Sequence, residues 1–138
     1  MNEDELVKYG KQCAAIAFYF PTNDAPVRAQ QVQQIANTDM YTLRQVRDYV
    51  YQQMQNLDRD VARAVWKKVI DNYGPERGFV KAFCAFKGYK NAVIISNGFR
   101  DYEGNYEDVT YVLFDVSDDV INFVNKMWKL AQKQARWA

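Results

Sequence analysis

Apolar residues at Leu6, Tyr9, Cys13, Ile16 and Phe20 recur at the three- and four-residue intervals of one helix face and predict a first helix from Asp4 to Tyr19, ended by Pro21. A second helix opens with Asp24 as N-cap and Pro26 in its first turn, then carries Val27, Val32, Ile35 and Ala36 as far as the break at Asn37-Thr38-Asp39. Thr42 followed by Gln45 has the spacing of a capping box. The run Leu43, Val46, Val50, Met54 and Leu57 gives the third helix its apolar side. A fourth helix starts at Asp58, buries Val61, Val65, Trp66, Val69, Ile70 and Tyr73, and ends at Gly74-Pro75.

After Gly74-Pro75 the period changes. The segment Gly78 to Lys87 sets Val80, Ala82, Cys84 and Phe86 in alternation with bulky and basic residues, which predicts a strand. Asn91 to Val116 reads as a β-hairpin folded about Gly104. Tyr102 then faces Tyr106, Arg100 faces Asp108, Phe99 faces Val109, Ile95 faces Leu113 and Ile94 faces Phe114. Val93, Ile95, Phe99, Val109, Tyr111 and Leu113 make the better core face. The face holding Ile94, Val112 and Phe114 is expected to be partly covered or to serve as an interface. Ser117 caps a long last helix whose Val120, Val124, Met127, Trp128, Ala131 and Ala135 should cross the sheet. Asp118 and Asp119 at its start and Lys129, Lys133 and Arg136 toward its end match the helix macrodipole. The expected fold is therefore α+β over residues 1–138 as one domain: four N-terminal helices, a three-stranded antiparallel meander and a C-terminal helix, with the helices on one face of the sheet.

Composition narrows the chemistry. The chain has 138 residues, 49% of them hydrophobic and 25% charged, and a net charge of +1. That is enough for one core and argues against a strongly basic nucleic-acid binder or an acidic polynucleotide mimic. There is no histidine. The commonest general base, the commonest metal ligand and the usual activator of a Ser or Cys nucleophile are thereby removed. No phosphate loop, nucleophile elbow, CxxC pair or other cofactor signature occurs, so a non-enzymatic protein without a cofactor or metal is expected. Cys13 and Cys84 read as small core residues. The longest apolar run, Ala14 to Phe20, is too short to span a bilayer and Met1 to Glu5 shows no leader pattern, so the expected location is the cytoplasm.

Three constellations remain as candidate sites. Tyr102, Tyr106, Asp101, Glu103, Glu107 and Asp108 gather at the hairpin end, where rigid tyrosines and carboxylates have the makeup of a protein-binding loop. Lys126, Lys129, Lys133 and Arg136 form one stripe on the last helix, suited to phosphates or an acidic surface. Residues Arg28 to Gln53 resemble a helix-turn-helix in which Arg44 and Gln45 would read bases. With 15% aromatic residues and ten tyrosines, the leading expectation is a binding protein acting by contact with a protein partner, open to homodimerisation. It would suit an inhibitor encoded by a phage or other mobile element and aimed at a host defence nuclease, in the manner of an anti-CRISPR. A DNA-binding regulator and a nucleotide or small-ligand binder, with its pocket between sheet and last helix, are the alternatives.

Overall fold

A computed structural model describes residues 2–21, 24–97 and 110–137, with the side chains of the last helix described through 134. Helix α1 (Glu3–Gln12) is opened by the Asn2 side chain, which accepts the Glu5 N–H at 2.9 Å, and its first turn carries Glu3, Asp4 and Glu5. It stops seven residues short of the expected end at Tyr19. From Ala14 to Phe20 the chain is strand β1. The physical reason is that the run pairs along its whole length with β3, with Ile16, Phe18 and Phe20 on one covered face and Ala15 and Ala17 on the other, so its helical spacing is incidental.

Helix α2 (Ala25–Ala36) begins beside Asp24 as expected, but the Asp24 side chain makes no capping bond; Asn97 Oδ1 accepts the Ala25 N–H instead, at 3.2 Å. Asn37 closes it at φ 52°. Strand β2 (Met40–Thr42), absent from the expected order, follows and leads directly into α3 (Leu43–Gln55). Both bonds of the Thr42/Gln45 capping box form, at 3.2 Å and 2.9 Å. The next helical stretch runs as α4 (Arg59–Val65), a π-helical turn (Trp66–Ile70) and α5 (Asp71–Tyr73).

The expected strand at Gly78 to Lys87 is helix α6 (Arg77–Lys87). Its residues from Gly78 through Ala85 are all buried, Lys81 included, so the short alternation of Val80, Ala82 and Cys84 fits a helix packed among other helices as well as it fits a strand. Gly78 is required there: a Cβ would lie 2.1 Å from the Ile70 carbonyl oxygen, where α6 crosses the π-helical turn. Gly88 ends the helix in the left-handed region, its N–H reaching the Cys84 carbonyl.

Strands β3 (Asn91–Asn97) and β4 (Tyr111–Phe114) pair antiparallel, but Ile95 faces Tyr111 and Val93 faces Leu113. This differs by two residues from the expected register, so every side chain keeps its face. The sheet is four-stranded and mixed, in the order β1-β3-β4-β2, with β1 parallel to β3 and β2 antiparallel to β4. Helix α7 (Asp118–Trp137) starts after Ser117, whose hydroxyl accepts the Val120 N–H at 3.4 Å.

Helices cover both faces of this sheet, against the expectation of one. Ile94, Val112 and Phe114 join Val46, Val50, Val65, Val80 and Phe83 in one buried cluster, contributed by α1, α3, α4 and α6. Val93, Ile95 and Leu113 join Phe18, Phe20, Val32, Val120 and Val124 in the other, under α2 and α7. The face expected to be partly covered or to serve as an interface is thus core: Ile94 and Val112 are fully buried. Among the described residues no helix is long and apolar enough to cross a membrane.

Candidate binding cleft

Three aromatic side chains from separate helices converge beside the π-helical turn. Tyr51 comes from α3, Trp66 from the first position of the turn and Phe79 from α6. Ring centroids are 5.3 Å apart for Tyr51 and Phe79, 5.8 Å for Trp66 and Phe79, and 6.1 Å for Tyr51 and Trp66. The Trp66 and Phe79 planes cross at 83°, an edge-to-face arrangement. With Ile70, Asp71, Gly74 and Pro75 the rings line a cleft of about 210 Å³. A π turn widens the helix by a residue and shifts the direction of the side chains around it, a device common at functional sites. Phe79 is buried, with the Arg47 guanidinium 5.2 Å from its ring centroid, whereas Tyr51 is 41% exposed and Asp71 is open to solvent.

The wall formed by Gly74 and Pro75 is tied down by the next residue. Glu76 turns its carboxylate toward the sheet, where Oε1 accepts the Tyr19 hydroxyl at 2.9 Å and Oε2 lies 3.3 Å from Ser96 Oγ. Ser96 Oγ is also 3.1 Å from Thr110 Oγ1. A serine hydroxyl has one proton, so when Glu76 is charged Ser96 donates to it and accepts from Thr110. Burial pushes the Glu76 carboxyl above the usual carboxylate range, and the Tyr19 and Ser96 hydrogen bonds together with the Arg77 charge oppose that shift. Both carboxylate oxygens are engaged, Oε1 by the exposed Tyr19 hydroxyl and Oε2 by the buried Ser96. The group therefore braces the turn rather than presenting a reactive oxygen to the outside.

The thiols, distant in sequence, meet in the core. Cys84 donates to Cys13, and this bond together with burial keeps the Cys84 thiol raised and protonated. Lys81, on the same helix, is buried beneath the end of α1. Its ammonium donates to the Lys11 carbonyl at 3.2 Å and to the Cys13 carbonyl, and lies 4.4 Å from the Tyr73 ring centroid. These contacts satisfy a buried charge; both thiols are buried, and the Cys84 hydrogen bond together with the Lys81 charge draws the Cys13 thiol below its usual range.

The sequence-predicted site residues fare differently. Asp101, Tyr102, Glu103, Tyr106, Glu107 and Asp108 lie outside the described residues. Lys126, Lys129 and Lys133 are exposed on α7, beside exposed Phe123 and Leu130, while the side chain of Arg136 is not among those described. Arg44 and Gln45 are exposed in the first turn of α3, but the Gln45 side chain is occupied by its cap. A helix-turn-helix unit is not formed. Strand β2 separates α2 from α3, and their apolar residues enter different clusters, Val32 on one side of the sheet and Leu43 and Val46 on the other. The space between sheet and last helix, considered for a small ligand, holds Phe18, Ile95, Val120 and Val124.

Sequence reasoning missed the cleft. Tyr51 falls outside the predicted inner face of its helix, and Trp66 and Phe79 read as parts of a core helix and a strand. Aromatic abundance was the available signal, and it carries no information on which rings meet. The chain matches no family model, no curated protein and no solved structure.

Proposed function

We propose that this chain is a small non-enzymatic binding protein that acts by contact with a protein partner, and that the aromatic cleft is its contact site. The observation that carries this reading is an open apolar concavity of about 210 Å³ walled by Tyr51, Trp66 and Phe79. Cofactor and drug-sized ligand sites occupy roughly 300–1,000 Å³, so this one is scaled to a single inserted side chain. Aromatic residues in such settings dominate binding energy between proteins. Glu76, the residue after the Pro75 wall, has both carboxylate oxygens engaged by Tyr19 and Ser96, which favours contact over catalysis. An inhibitor or adaptor, including one aimed at a defence nuclease, needs only such occupancy of a partner's surface.

The test is capture from the native host, with mass measurement of bound protein and nucleic acid. Wild-type chain should retain a protein that Tyr51→Ala loses, while the thermal midpoint of the variant stays within a few degrees. Retention of nucleic acid alone, or equal retention of the protein by Tyr51→Ala, would overturn the assignment. A parallel variant replacing Tyr102, Tyr106 and Glu107 assigns any remaining capture to the hairpin end.

A further inference from the structure

The chemistry of the cleft narrows what enters it, and this step rests on the contact reading above. We infer that the cleft receives a guanidinium group, the side chain of an arginine presented by the partner. The ring faces of Trp and Tyr carry negative potential and attract cations held within about 6 Å of the centroid, Trp most strongly. The protein already uses this attraction on the same ring cluster, where Arg47 places its guanidinium 5.2 Å from the Phe79 centroid. It does so again where Lys81 and Lys87 sit 4.4 Å and 4.7 Å from the centroids of Tyr73 and Tyr49.

The charged member of the cleft lining is a carboxylate, Asp71, and no Lys or Arg lines it. Asp71 is exposed at the cleft, and an apolar occupant such as leucine or phenylalanine would leave that carboxylate without a partner. A guanidinium stacks flat on a ring and can still donate two parallel hydrogen bonds to a carboxylate, whereas an ammonium offers only a point charge. The volume admits that planar head with part of its stem and excludes a nucleotide.

Full-length protein is titrated with N-acetyl-arginine methylamide, its neutral isostere N-acetyl-citrulline methylamide and N-acetyl-leucine methylamide. Indole N–H resonances are followed by NMR, with Trp66 assigned through Trp66→Phe. The arginine compound should shift the Trp66 resonance saturably and leave Trp128 unmoved. Citrulline should bind roughly tenfold more weakly, and Asp71→Asn should cost the arginine compound a similar factor, as loss of a charge-assisted pair does. Equal or stronger binding of leucine or citrulline overturns the guanidinium assignment while leaving the cleft as a contact site. A response to none of the three overturns it as well, and capture by Tyr51→Ala then decides the contact reading independently.

Discussion

Glu76 shows how one side chain can be both brace and liability. Its carboxyl is raised by burial, so the folded chain holds the proton more tightly than the unfolded chain does. The stability from this group is fully present below the unfolded glutamate value of about 4.3 and is lost as pH rises through the folded value. Glu76→Gln keeps an acceptor for Tyr19 and removes the titration. The free-energy difference between variant and wild type in urea unfolding should therefore shift in the variant's favour as pH is raised from 4 to 8. A difference that stays constant over that range would show that Glu76 is solvated in the folded state. None of this was legible in the sequence, where Glu76 is one acid after a proline, because its burial and its hydrogen bonds to Tyr19 of β1 and Ser96 of β3 come from distant parts of the chain.

At the scale of elements, the clearest misreading and its cause lie in α6. The alternation GFVKAFCAFK matches a strand template over its whole length, and the same residues also suit a helix, with Arg77 and Lys87 exposed at its ends and Gly78 through Ala85 buried between them, so only packing decides between the two. Gly78 supplies the test. By helix propensity alone, Gly78→Ala would gain roughly 1 kcal/mol, but the new methyl would collide with the Ile70 carbonyl at 2.1 Å, and that contact is backbone. Overpacking of this kind costs on the order of 1–3 kcal/mol or more, so the clash wins and the thermal midpoint should fall by several degrees. An unchanged or raised midpoint would mean that α6 does not cross the π-helical turn so closely. Elements with chemical punctuation were legible: the Thr42/Gln45 box opens α3 and Pro26 stands in the first turn of α2, where local geometry demands them.

Across the whole molecule, the decisive feature is a sheet covered on both faces. Ile94 tests it directly. If its face were open, Ile94→Ala would change stability by less than about 0.5 kcal/mol; buried beneath α3 and α6 it should cost about 2–5 kcal/mol in urea unfolding. Two-sided burial also explains β1, since an unbroken apolar run belongs in a strand with cover above and below. Local chemistry along the chain was sufficient to determine the caps at Thr42 and Ser117, the helices α2, α3 and α7, and the alternation of β3, because each depends on neighbours a few residues away. Only the tertiary structure decided that β1 is a strand, that α6 is a helix, that α2 and α3 lie on opposite sides of the sheet and that Tyr51, Trp66 and Phe79 share a cleft. Those outcomes depend on which surfaces are removed from water together, and burial is a property of the assembled chain that no short stretch contains.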